Sequence, residues 1–390
     1  MAAGPQPAEE QARVSEAHPS VIQSGEIARL IEALVRRGYD VHGPTMRDGA
    51  IVYDQVESAN DLPKGWTDEQ EPGHYRLQRR QDEASFNYVV GPQSLKKYFH
   101  PSEVRLFSAE RDNGTFRILN NETAPKRPFA FLGARACELE AVSTQDRVLL
   151  EDKYADSAYQ ARRSGAFIIA VHCTRSAKTC FCASMGTGPR ARGGFDLALT
   201  ELMDEAGHRF LVESGSQRGN EVLAELDSAA ASDGEVRAAE SAIEGAARQQ
   251  VRSIDTAGLK ELLYENFEHP RWDDVARRCL TCANCTMVCP TCFCTTVEDT
   301  TDVTGDLAER WRRWDSCFTL GFSYIHGGNI RNSTKARYRQ WMTHKLASWQ
   351  DQFGRSGCVG CGRCITWCPA GIDITEEVRA IREERSHGKS

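Results

Sequence analysis

The chain has 390 residues, 40% of them hydrophobic and 26% charged, enough for more than one domain with a buried core. Its net charge of -7, with no clustered basic stretch, gives no footing for a nucleic-acid partner. No apolar run approaches the roughly 20 residues of a membrane-spanning helix, and the opening MAAGPQPAEE lacks the basic-then-apolar order of a signal peptide, so a cytoplasmic protein is expected.

Residues 1 to 20, rich in Ala, Pro, Glu and Gln, read as a mobile tail. Ile27, Leu30, Ile31 and Leu34 then recur at helical spacing, with Ser24 placed to cap the start and Gly38 to close the end. Short apolar runs at 50–53, 129–132, 167–171 and 210–212 alternate with polar or helical stretches such as 148–163, the pattern of an α/β domain. Between Ser214 and Gln250 the chain is mostly Ala, Ser, Glu and Gly, which suggests a peripheral helix or loop. Leu259, Leu262, Leu263 and Phe267 lead out of the α/β domain (21–265), and a boundary falls near Asn266.

Fifteen cysteines in an intracellular protein point to metal rather than disulfides, because cytosolic thiols are kept reduced. Cys279-x2-Cys282-x2-Cys285-x3-Cys289-Pro290 and Cys358-x2-Cys361-x2-Cys364-x3-Cys368-Pro369 repeat the bacterial two-cluster pattern. In that pattern three thiolates of one run meet one [4Fe-4S] cube and the fourth reaches the other cube. The expected ligand sets are therefore Cys279, Cys282, Cys285 and Cys368, and Cys289, Cys358, Cys361 and Cys364. Structural zinc is the competing reading, but it explains only four ligands at a time. The 68 residues from Pro290 to Gly357 need structure of their own. Helix formers at 307–314 and 334–349 predict a largely helical insert, so that 266–390 resembles the α-helical ferredoxin modules of multisubunit redox complexes. Trp311, Trp314 and Trp341 read as packing residues. Arg277, Arg278, Arg363 and the amides of Gly360 and Gly362 stand where they could offset cluster charge; for the arginines, simple solvation is an equal reading.

Cys137 and the group Cys173, Cys180 and Cys182 follow two apolar runs, where strands should end and where ligand sites of α/β folds assemble. The four are a candidate for a third [4Fe-4S] or a zinc site, against a reading as incidental thiols. Cys292, Cys294 and Cys317 form no complete set, although Cys292-Phe293-Cys294 repeats Cys180-Phe181-Cys182 with the preceding threonine; they could hold a centre with one other ligand, stand behind the ligands, or, by default, pack as buried thiols. Met185 to Pro189 lacks a phosphate-loop spacing and reads as a turn. His172, His326 and His344 read as structural, and no nucleophile-plus-base set is visible.

The runs Thr179 to Pro189 (TCFCASMGTGP), Cys289 to Cys294 (CPTCFC), Trp314 to Cys317 (WDSC) and Cys358 to Cys364 (CVGCGRC) together resemble the beta subunits of cytosolic nickel-iron hydrogenases of the sulfhydrogenase type. The similarity runs from about residue 25 onward and extends to the iron-sulfur subunit of anaerobic sulfite reductases that shares this architecture. The resemblance implies an electron relay, without catalysis of its own, between a flavin/NAD(P)-binding subunit and nickel-iron hydrogenase large and small subunits. It leaves open whether the catalytic partner is a hydrogenase or a sulfite reductase. A zinc-binding structural scaffold is the alternative from another class.

Overall fold

The structure, a computed structural model, describes residues 18–119, 124–151 and 153–387. The strands are, in chain order, β1 (Ser20–Gln23), β2 (Asp40–Arg47), β3 (Ala50–Gln55), β4 (Trp66–Glu71), β5 (His74–Arg79), β6 (Glu103–Asp112) and β7 (Thr115–Leu119). They continue with β8 (Phe129–Ala134), β9 (Phe167–Val171), β10 (Leu197–Asp204), β11 (Gly207–Ser214), β12 (Ser228–Ala230), β13 (Thr295–Thr301) and β14 (Leu307–Trp314). Most of the expected tail lies outside the described residues, but Ser20 already belongs to β1.

Eight strands form one mixed sheet in the order β12-β1-β11-β10-β9-β8-β2-β3. Its centre, β2, β8, β9 and β10, is parallel. The near-continuous apolar runs of β8 and β9 follow from this position, because a parallel strand covered on both faces needs apolar residues throughout rather than in alternation. The helix Glu26–Arg36 buries Ile27, Leu30, Ile31 and Leu34 against this sheet. Its N-cap is Gly25, without a side-chain cap, rather than Ser24, while Gly38 (φ 84°) closes the far end as its position suggested. The Ala-rich stretch after Ser214 holds the helices Gln217–Leu223 and Asp233–Arg248, the second opened by a Ser232/Glu235 capping box, and lends β12 to the sheet edge.

The cysteine-rich region has a helical core. Leu262, Leu263, Trp272, Trp341, Met342, Leu346, Ile365 and Ile381 meet there from the helices Leu259–Glu265, Arg271–Arg278, Thr334–Thr343 and Ile374–His387, from the turn His344–Ser348 and from the second motif. The insert between the motifs is not helical throughout. Residues 334–353 are helical, but 307–314, expected as helix, is β14, paired with β13 in a hairpin and with β6 of the preceding region. Helix propensities differ by only a few tenths of a kcal/mol among ordinary residues. A ladder to two neighbours, with cross-strand pairs Arg313–Glu103 (2.8 Å) and Arg105–Glu309 (2.7 Å), outweighs that preference. The four-stranded sheet β13-β14-β6-β7 therefore spans the boundary drawn from sequence near Asn266.

A second link between the regions is buried. Arg363, fully buried, donates to Glu138 Oε1 (2.7 Å) and to the carbonyls of Gly91 (2.8 Å) and Gln93 (2.9 Å), and Glu138 also accepts from Tyr53 (2.5 Å) and the Arg135 amide (3.2 Å). Removing one partner of such a pair strands the other's charge, at a cost of about 3–5 kcal/mol. Glu138→Gln is expected to lose stability on that scale in urea unfolding, and Glu138→Gln with Arg363→Met to recover part of it. Additive losses would show that the pair is not coupled.

Candidate iron-sulfur centres

The two cysteine motifs share one backbone plan. Residues two and four places after the first cysteine are left-handed in both: Thr281 (φ 51°) and Ala283 (φ 66°) in the first, Gly360 (φ 61°) and Gly362 (φ 76°) in the second. The turn directs amides at the sulfurs: Thr281 N–H donates to Cys279 Sγ (3.4 Å) and Gly360 N–H to Cys358 Sγ (3.5 Å). Each motif then enters a single helical turn, Asn284–Met287 and Arg363–Thr366, that carries its third cysteine.

The fourth cysteines cross over. A pocket is lined by Cys279, Cys282 and Cys285 together with Cys364 and Cys368 of the second motif, and the Cys368 sulfur accepts from Ile372 N–H at 3.4 Å. Cys289 lies near the other motif: burial raises the Cys364 thiol well above its ordinary value, and Cys358, Cys361, Cys289 and, from the first motif, Cys285 add to the effect. Burial also lifts Cys358, up to about 12, against the pull of Lys345. Cys289 itself is held well below the usual range by a hydrogen bond with Cys292, with Lys345 beside it.

The surroundings fit iron-sulfur groups. Tyr338 Oη and Trp341 Nε1, both buried, line the first pocket without a protein acceptor, which leaves donors free for sulfide. The Arg363 guanidinium hydrogen-bonds Cys361 and pulls that thiol down against its burial. Among the described residues no three His, Cys, Asp or Glu side chains form a group that could hold a single metal ion. Arg277 and Arg278 serve elsewhere, paired with Asp274 and with Glu377.

The third thiol group lies at the junction of the two regions. Cys137 opens the helix Ala136–Leu149 after β8, and Cys173 follows the neighbouring parallel strand β9. Cys180 and Cys182 sit on a segment that packs on the second motif: Phe181 N–H donates to Gly360 O (2.9 Å) and the Thr187 hydroxyl to Val359 O (2.7 Å). Burial raises Cys180, with Cys182, Cys173 and Cys361 adding to it, and Cys137 is raised by burial and by Cys361. The group thus adjoins a cysteine of the second motif. Sequence reasoning did not pair Cys294 with Cys317, whose thiols hydrogen-bond at the base of the β13–β14 hairpin, nor did it find Lys345, which no local pattern distinguishes from a solvated lysine of a helix. His172 is structural, bridging Glu213 (2.9 Å) and Ala191 N–H (3.1 Å).

Paired cysteine motifs around a helical core are the pattern of iron-sulfur proteins, and residues 278–372 match the family model described as a 4Fe-4S dicluster domain. The chain is also 33% identical over 307 residues to sulfhydrogenase 2 subunit beta of Pyrococcus furiosus, covering 77% of this chain and 86% of that one. The chain belongs to the sulfhydrogenase beta-subunit family. No solved structure gives a significant match. Among the described residues no helix is long and apolar enough to cross a membrane.

Equivalent positions of the two motifs predict opposite outcomes. A Cβ on Gly360 would come within 2.7 Å of the Cys182 backbone, and one on Gly362 would fall on the Thr179 carbonyl. Gly362→Ala should lower the unfolding temperature and deplete iron, whereas Ala283→Gly should keep both, since it relieves a left-handed alanine worth about 1–2 kcal/mol. Iron analysis and thermal unfolding decide; equal losses in the two variants would refute the packing argument.

Proposed function

We propose that the chain is a cytoplasmic electron-relay subunit that holds two [4Fe-4S] clusters on Cys279, Cys282, Cys285 and Cys368 and on Cys289, Cys358, Cys361 and Cys364, with a third on Cys137, Cys173, Cys180 and Cys182. The observation that carries the reading is the crossing: Cys368 lines the pocket of the first motif, and Cys289 bears on the thiols of the second. When bound, the clusters supply one-electron carriage. The chain's own part is to hold the thiolates, shield them, and set their surroundings through amide donors and buried cations. The contact of the third group with Cys361 favours an unbroken order of centres, from the α/β region (21–265) into the ferredoxin region (266–390). The chain's partners on this reading are a flavin/NAD(P)-binding subunit and nickel-iron hydrogenase large and small subunits. The name of the Pyrococcus furiosus relative favours hydrogenase over sulfite reductase.

Anaerobically reconstituted full-length chain is expected to bind about twelve irons, four per cluster, and no stoichiometric zinc. Replacing Cys137, Cys173, Cys180 and Cys182 by Ala together should leave about eight, the count of a two-cluster protein. Cys368→Ala should alter the spectrum of the cluster on Cys279, Cys282 and Cys285, and an effect limited to its own motif would refute the crossing. Anaerobic pull-down with mass spectrometry, scored for nickel-iron chains or for a sirohaem sulfite reductase, decides the partner.

A further inference from the structure

Lys345 is 4% exposed and lies in a π-helical turn, His344–Ser348, between the α-helices Thr334–Thr343 and Trp349–Phe353. Such one-turn departures from the α-helix recur at functional sites. The ammonium reaches three acceptors: Cys289 Sγ (3.2 Å), Thr291 Oγ1 (3.1 Å) and Gly357 O (3.1 Å). Thr291 donates its own proton to Gly357 O (2.7 Å), so towards the lysine its oxygen accepts. Three acceptors for three N–H bonds is the set that a protonated lysine requires.

No carboxylate neutralises this charge: among the described residues Lys345 makes no ion pair. Arg363, the other buried cation at the second motif, also hydrogen-bonds a motif thiol, Cys361, but its charge is paired with Glu138 at 2.7 Å. Lys96 is buried as well, but its Nζ reaches the Met287 carbonyl (3.2 Å) and the face of Trp314 (4.0 Å) rather than a sulfur. The first motif has amide donors, an exposed Cys282 and a neighbouring Leu280 that is 65% exposed. The two motifs thus hold thiols of one type in unlike electrostatic settings.

Reduction adds negative charge to a cluster, so a fixed positive charge with an N–H bond to a ligand sulfur favours the reduced form and raises the potential. We propose that Lys345 is the buried countercharge that sets the potential of the centre on Cys289, Cys358, Cys361 and Cys364, holding it above that of the centre on Cys279, Cys282, Cys285 and Cys368. The proposal rests on the two-cluster reading above, and it makes the second motif the electron sink of the pair.

The test is a redox titration of the full-length reconstituted chain followed by electron paramagnetic resonance, with Cys289→Ser used to mark the step of the second motif and Cys282→Ser that of the first, so that the step of the third centre is set aside and only these two are compared. In the wild-type chain the second-motif step should lie at the more positive potential of the two. In Lys345→Met and Lys345→Gln it should fall by at least about tenfold in the reduction equilibrium, roughly 59 mV for a one-electron couple. The first-motif step should stay in place, and Lys345→Arg should return the second most of the way. Full iron content with an unmoved step, or equal shifts of both steps, overturns the role of Lys345. The reverse order of steps in the wild-type chain overturns it too, even if every lysine variant sheds its iron. Absence of iron from the wild-type chain would instead overturn the two-cluster reading.

Discussion

The buried pair of Arg363 and Glu138 is the constraint on which the arrangement of thiols depends. Arg363 lies between the second and third cysteines of its motif, Glu138 directly follows Cys137, and both side chains are wholly out of water. Two desolvated charges are tolerated only when geometry and further hydrogen bonds satisfy both, and here carbonyls from Gly91 and Gln93 and donors from Tyr53 and Arg135 do so. The pair has little freedom to slide. It therefore fixes where the second motif meets the strand ends of the large sheet, and with that the approach of Cys361 to Cys137. The β6–β14 ladder holds the two regions at another place, so their relation is not left to a single linker.

Legibility in the sequence followed how local each determinant is. The two cysteine motifs were readable because spacing alone dictates which thiols one turn can present. The strands at 129–134 and 167–171 were readable because full burial forces unbroken apolar runs. Leu307 to Trp314 was misread for the opposite reason: its leucine, alanine, glutamate and arginines favour a helix in isolation, and nothing nearby reveals that β6, far earlier in the chain, offers a ladder. Arg277 and Arg278 were plausible charge partners by proximity in sequence, yet helical geometry turns them to Asp274 and Glu377. Lys345 is of the same kind, since a lysine in a helical stretch reads as solvated and only the π turn and the return of Gly357 bring it onto Cys289.

The difference between the two motifs is itself written in the sequence, once the packing is known. Both need left-handed backbone at the second and fourth places, and only glycine adopts it freely. The first motif nevertheless carries Thr281 and Ala283 there, while the second carries Gly360 and Gly362. Conformation alone would ask for glycine in both. What distinguishes the second is that the Thr179 to Cys182 segment lies on it so closely that a Cβ at either position would strike backbone. The first motif borders a pocket and a partly exposed rim, where Thr281 and Ala283 are only half-buried and two side chains are accommodated. The glycines of Cys358-Val-Gly-Cys-Gly-Arg-Cys364 therefore record a close approach as well as a turn. They mark the motif that is closed in by the α/β region, with Lys345 and Arg363 buried beside it, while the other keeps Cys282 exposed.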